Sequence, residues 1–113
     1  MRAVVVAGIA ALAVVPAASG AAKPKPVSVK VGDDYFAPTK LSVARGTTIA
    51  WKWLAVNGDT HDVKLKRGPK GAKPFHSDPA AAFFTYKRKL TVKGRYTVIC
   101  TFHQHMTMTI TVR

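Results

Sequence analysis

From about residue 26 onward, apolar and polar positions alternate with a period of two, the mark of half-buried strands. Nowhere there do they follow a helical period. VSVKV sets Val27, Val29 and Val31 on one face and Ser28 and Lys30 on the other. Leu41 and Val43 alternate with Ser42 and Ala44, and Ile49, Trp51 and Trp53 with Ala50 and Lys52. Val63 and Leu65 stand against Lys64 and Lys66. Ala80–Leu90 and Arg95–Phe102 read as two further strands split by Lys93-Gly94. Met108, Ile110 and Val112 alternate with Thr107, Thr109 and Thr111 to the end of the chain. Turn residues separate these runs at Gly32-Asp33-Asp34, Arg45-Gly46 and Asn57-Gly58-Asp59. Arg67–Lys73, basic and holding Gly68, Pro69 and Gly71, reads as a loop. Six to eight short strands with regular turns predict an all-β sandwich or barrel.

The N-terminus follows another pattern. Met1-Arg2 is a short basic start, Ala3–Val15 is small and apolar, Pro16 interrupts, and AASGAA offers small residues to a peptidase. This is the layout of a secretory signal peptide over residues 1–22, with cleavage after Gly20 or Ala22. The apolar run is shorter than the roughly 20 residues a membrane-spanning helix needs. No cysteine lies near the cleavage region, which excludes a lipoprotein anchor. KPKP, residues 23–26, reads as a stiff leader. Residues 27–113 then form one domain, at about ninety residues just large enough for a core of its own.

The 113-residue chain has 18 Lys and Arg against 5 acidic residues, all Asp, and a net charge of +13. Such a field favours acidic partners or anionic membrane and wall surfaces. No basic cluster is interleaved with aromatics as base recognition requires, so nucleic acid is not an expected partner. The single cysteine, Cys100, cannot staple its own chain. In an exported protein it is either an inert core residue or a reactive thiol.

ICTFHQHMTM, Ile99–Met108, holds that cysteine, two of the four histidines and two of the three methionines. Taken singly, a strand-end Cys is usually a small buried hydrophobe, an inward Met is core and a His is surface. Together they match what a copper electron-transfer site needs: one thiolate, two imidazoles and a weak axial thioether. The inventory is Cys100, His103, Met106 and the distant His61. Tyr96, Val98, Cys100 and Phe102 share a face of their strand, so Cys100 points inward at its end. His103 falls where the chain must turn.

These stretches resemble small blue copper proteins of the cupredoxin family, of the plastocyanin, pseudoazurin and amicyanin type. FAPTKLSVARGTTIAWKW, Phe36–Trp53, resembles the family's Phe-x-Pro opening, its Leu-x-Val strand and the apolar strand ending in an aromatic. Thr60-His61-Asp62-Val63 resembles the first-histidine motif, and Gly94–Cys100 the Gly-x-Tyr-x-x-x-Cys approach to the ligand loop. Cys100-Thr101-Phe102-His103 gives the Cys-x-x-His pair, with Met106 at the short-loop spacing. The resemblance implies a Greek-key sandwich holding one copper ion, Cu(I)/Cu(II). His61, Cys100 and His103 would be its equatorial ligands and Met106 its axial one. It implies a monomeric, exported electron carrier, periplasmic or extracellular, rather than an enzyme. It also implies that Asp62, where the family more often has Asn, bonds across to Thr101.

Two departures stand out. The family's short loop reads His-Pro-Gly-Met, whereas this chain has His103-Gln104-His105-Met106. Losing Pro and Gly predicts a looser loop and leaves Met108, at a longer spacing from Cys100, as a rival axial ligand. His105 is then either an exposed residue or a third imidazole. His76 has no partner in sequence and reads as a surface residue. By the same analogy His103 is the electron's exit, Phe36, Pro38 and Phe102 form an apolar collar, and Lys64, Lys66, Lys87 and Lys89 steer acidic redox partners. Copper delivery without electron transfer, and a metal-free cationic binding module, are the competing functions. A dinuclear electron-transfer centre needs a second cysteine, and a copper oxidase or reductase needs more ligands than these.

Overall fold

The computed structural model describes residues 24–113. The expected signal peptide, residues 1–22, and Lys23 of the leader lie outside the described residues. Pro24–Pro26 have no regular structure, since proline lacks the N–H a ladder needs.

Eight strands follow: β1 (Val27–Gly32), β2 (Tyr35–Ala37), β3 (Lys40–Val43), β4 (Thr47–Trp53), β5 (Lys64–Arg67), β6 (Thr85–Leu90), β7 (Gly94–Ile99) and β8 (Thr107–Val112). They form two four-stranded sheets, in the orders β2-β1-β4-β6 and β3-β8-β7-β5. β1 runs parallel to β4 and β3 parallel to β8; the other pairs are antiparallel. This is the all-β sandwich that the alternation predicts.

Most of the inward positions read from the sequence form the core; Val27, Leu41 and Leu65 are only half-buried, and Ala50, read as outward, is buried. Val29, Val31, Ile49, Trp51 and Trp53 come from one sheet, and Tyr96, Val98, Met108, Ile110 and Val112 from the other; all are buried. Each such side chain contributes about 1.5–3 kcal/mol by leaving water. Phe75 packs on Trp51 from a loop, ring centroids 5.8 Å apart. The Tyr96 hydroxyl donates back to the Val92 carbonyl at 2.7 Å and pins the β6–β7 corner. Gly94, at φ 138°, occupies a conformation that side chains avoid. A Cβ there would lie 2.6 Å from Pro69.

Three expectations need correction. The strand expected over Arg95–Phe102 ends at Ile99, and Phe102, beyond it, is 52 % exposed rather than on the inward face. Ala80–Phe84 is not strand. Ala80 makes one bridge with His61, and then the chain turns, with Phe83 at φ 56°. A run of apolar residues without alternation does not select a face, and the ladder starts only at Thr85. Conversely, Tyr35–Ala37 forms β2 against β1, too short for its periodicity to be visible.

Hydrogen bonds gather four segments at one end of the sandwich. The Asp33-Asp34 turn accepts from Gly58 and Asp59. His61 exchanges backbone bonds with Ala80, and Thr101 reaches Asp62. The candidate ligands lie on this end.

Candidate metal centre

His61 is held from three sides. Its amide donates to the Ala80 carbonyl at 2.9 Å and its carbonyl accepts from the Ala80 amide at 3.0 Å. The Trp53 indole donates to Ala80 O at 2.9 Å and to His61 O at 3.3 Å. The fully buried ring donates from Nε2 to Asp33 Oδ1 at 2.9 Å. Because a carboxylate can only accept, this contact puts the proton on Nε2 and leaves Nδ1 as a bare lone pair. Nδ1 is buried with no hydrogen-bond partner, which is costly unless something coordinates it. Asp33 is itself fixed. The Gly58 amide, the His61 ring and the Asp59 amide hold its carboxyl at a pKa of about 2.

Cys100 follows β7 and is buried. Its amide donates to the Met106 carbonyl at 3.0 Å, closing the loop between them. Burial pushes the thiol's pKa up, while the amides of Asp62, Phe102 and His103, directed at the sulfur, work against that rise. Those amides favour a thiolate. The Asp62 carboxylate spans both ligand segments. It accepts from the Thr101 amide at 2.7 Å and the Thr101 hydroxyl at 2.6 Å. The resemblance implied a bond to one of these groups; the structure has both. Burial drives the Asp62 pKa upward, but the hydrogen bonds from Thr101 and His76 outweigh it and the net shift is down.

The loop keeps a tight turn without Pro or Gly. His105, where the family has Gly, adopts φ 68°, the left-handed conformation that glycine would supply at no cost. His105 thus takes the backbone position at which the family's short loop has its glycine. His105 is exposed and gives no atom to the ligand group below.

One ring nitrogen each from His61 and His103 and the Cys100 sulfur lie within 4.8 Å of one another. Met106 is 1 % exposed and lines the same end of the molecule as Cys100 and His103. Met108 is equally buried, but its sulfur accepts from the Trp51 indole at 3.4 Å, inside the core. His103 is the more open imidazole. Its Nε2 donates to the Thr60 carbonyl at 3.1 Å and its Nδ1 lies 3.1 Å from Asp34 Oδ1. Offering a lone pair to a metal means giving up one of these contacts.

The donor set fits a single type 1 copper ion. It has one soft sulfur, two imidazoles, a thioether nearby, and a buried imidazole nitrogen with nothing else to bind. Residues 25–113 match the family of copper-binding proteins described as plastocyanin/azurin. The chain belongs to that family. Among solved structures, the cupredoxin domain resembles a copper-containing nitrite reductase from Thermus scotoductus SA-01 at 26% identity and TM-score 0.70. That match covers 81% of this chain but only 23% of the reductase. A reduced amicyanin variant matches at 23% identity and TM-score 0.68, covering 78% and 82% of the two chains. A purple cupredoxin from Nitrosopumilus maritimus matches at 18% identity and TM-score 0.63, covering 77% and 99%. These last two share the fold. No curated protein sequence matches the chain.

Several residues of the site escaped the sequence. Asp33 and Asp34 read as turn formers, yet one orients His61 and the other meets His103. His76 read as unpartnered, but its Nε2 lies 2.7 Å from Asp62 Oδ2. The expected collar is also corrected. Phe36 is 1 % exposed and belongs to the core; among the described residues the exposed large apolar side chains are Tyr35, Val56, Phe83 and Phe102.

Proposed function

We propose that this cupredoxin is an exported mononuclear copper protein carrying single electrons between larger redox proteins. His61, Cys100 and His103 are its equatorial ligands and Met106 its axial one. The observation that carries the reading is the convergence of His61, Cys100 and His103 within 4.8 Å around an imidazole nitrogen with no other partner. Copper supplies a one-electron Cu(I)/Cu(II) couple, and a thiolate–imidazole set suits both charges. The chain's own residues keep the two ligand segments from moving apart. Asp33 holds the His61 tautomer, Asp62 ties His61's neighbour to Cys100's neighbour, and the Cys100–Met106 backbone bond closes the loop. A rigid ligand set limits the rearrangement that accompanies each electron.

His103, 24 % exposed in its side chain, is the exit. Lys64, Lys66, Lys87 and Lys89 are all exposed and steer the protein toward acidic partners or an anionic membrane or wall surface. The rim of the exit itself carries Asp34 and Asp59 beside His103. A partner therefore needs acidic groups facing the lysine strands and a basic or neutral contact at the rim. The signal-like N-terminus supports export to the periplasm or beyond. We read the domain as a monomeric carrier and not as an enzyme. Delivery of copper would use His105 and Met108 as additional ligands, but the Met108 sulfur accepts from Trp51 and His105 gives no atom to the ligand group.

The test is to add Cu(II) to the mature domain and record visible and electron paramagnetic resonance spectra beside a Cys100→Ser variant. An intense thiolate-to-copper band with narrow hyperfine splitting, absent in the variant, is expected. Weak colour with ordinary square-planar signals would refute the site and favour a cationic binding module.

A further inference from the structure

Asp62 brings a carboxylate into the ligand region with its side chain only 3 % exposed. Among the described residues no lysine or arginine pairs with it. Its one ionic partner is His76, whose Nε2 donates to Oδ2 at 2.7 Å. The same oxygen accepts the Thr101 hydroxyl and the other accepts the Thr101 amide. The Asp62 amide is directed at the Cys100 sulfur. His76 is 49 % exposed, so one end of this chain of contacts is in solvent and the other is at the thiol.

We propose that His76 is a positioning residue that sets the reduction potential of the bound copper, by holding the Asp62 carboxylate in place and offsetting its charge beside Cys100. The proposal rests on the copper reading above. A buried negative charge near the metal favours the more highly charged oxidised ion and lowers the potential. A neutral imidazole donating from Nε2 keeps the carboxylate oriented without cancelling its charge. An imidazolium in the same place cancels much of it, and the potential rises. Imidazole is the side chain that changes between these two states near neutral pH. The other charged groups on the surrounding elements are Lys64 of β5, which bridges His76 through the backbone, Asp78 two residues along, and Arg88 of β6. Tyr86 of β6 meets the His76 backbone at its hydroxyl. None of these forms an ion pair with His76 or Asp62 among the described residues. The sequence carries no sign of the link, because residues 62 and 76 meet only when the loop before β6 folds back along the His61 segment.

The experiment compares the wild type with His76→Gln, which keeps a donor without a charge, and His76→Lys, which keeps the charge. Reduction potentials are measured by voltammetry from about pH 5 to about pH 8, spanning imidazole titration. The Thr101 amide resonance is followed over the same range in copper-free protein. The wild-type potential should fall as pH rises, and the Thr101 amide should shift with it. His76→Gln should stay flat at the wild type's high-pH value, and His76→Lys flat near its low-pH value. A normal thiolate-to-copper band with wild-type and Gln potentials running parallel would overturn this proposal alone, as would a Thr101 amide indifferent to His76. A wild type with no such band would sink the copper reading and this proposal with it. His76 is half exposed, so the variants should fold, and a thermal melt of each checks that they have.

Discussion

The two methionines near Cys100 differ in that the Met108 sulfur accepts from the Trp51 indole while Met106 meets Cys100 through its carbonyl, and that difference predicts two unlike variants. Met108→Leu conserves volume in a core site that is 1 % exposed, a change that usually costs less than about 1.5 kcal/mol. It also removes the acceptor of the Trp51 N–H, 3.4 Å away, inside a core where Trp51 is fully buried. An orphaned buried donor costs about 1–3 kcal/mol, toward the lower end here because a thioether is a weak acceptor. The sum is about 2 kcal/mol, or a fall in melting temperature of about 10 °C for a domain of this size. Met106→Leu orphans no donor, since Met106 meets Cys100 through its backbone carbonyl. The copper-free protein should lose no more than about 1.5 kcal/mol. The metal-loaded proteins should invert the ranking. With Met106 as the proposed axial ligand, Met106→Leu should raise the potential and shift the charge-transfer band, while Met108→Leu should keep both. Chemical denaturation of the copper-free forms, with spectra and voltammetry of the loaded forms, measures all four quantities. A Met108→Leu protein with an altered band and normal stability would refute the assignment.

Other expected outcomes follow from single contacts. Asp62→Asn should raise the potential by removing a carboxylate beside Cys100; an unchanged or lower potential would count against that charge effect. His105→Gly should stabilise the copper-free fold by about 0.5–1 kcal/mol, relief of the left-handed conformation exceeding glycine's added unfolded-state entropy, with the copper band unchanged in position. Gly94→Ala should cost about 2–4 kcal/mol in a urea titration, from the positive φ and the overlap with Pro69 together. Because Asp33's carboxyl is held lower in the folded chain than its ordinary 3.8, its contribution to stability is complete above that value and is lost as pH falls toward about 2. Asp33→Asn should therefore flatten the acid limb of a stability–pH curve over that interval.

The fold was legible wherever a strand had one wet and one dry face. Ile49-Trp51-Trp53 and Met108-Ile110-Val112 declare their faces by alternation, and the structure buries those residues. The alternation disappears in β2, where three residues give no period, and in Ala80–Phe84, where consecutive apolar residues suit a turn over the core as well as a strand. At the site, Cys100, His103 and His61 stand out because their chemistry is scarce in this chain. Their supports do not. Asp33 and Asp34 have turn composition, and nothing local tells a turn aspartate from one that fixes a histidine tautomer 28 residues away. His76 was invisible for the same reason.

The placement of charge connects these supports to function. The chain has only 5 acidic residues, and Asp33, Asp34, Asp59 and Asp62 all contact or border the ligand group. Scattered carboxylates on a protein of net charge +13 would weaken its field everywhere by a little. Gathered at one end, they leave the lysine-bearing strands strongly positive and place a local negative rim beside His103, the exit on the proposed reading. On the proposed carrier function, the long-range field, felt over about 10 Å at ordinary ionic strength, would bring an acidic partner toward the basic strands. The rim acts only at contact, where it rejects an acidic surface that would seat on His103 and stay. Raising salt should then slow association, while Asp34→Asn combined with Asp59→Asn should lengthen the lifetime of a complex with an acidic partner. Stopped-flow electron transfer with such a partner separates the two effects. A salt-independent association rate would remove the steering argument, and an unchanged dissociation rate in the double variant would remove the role of the rim.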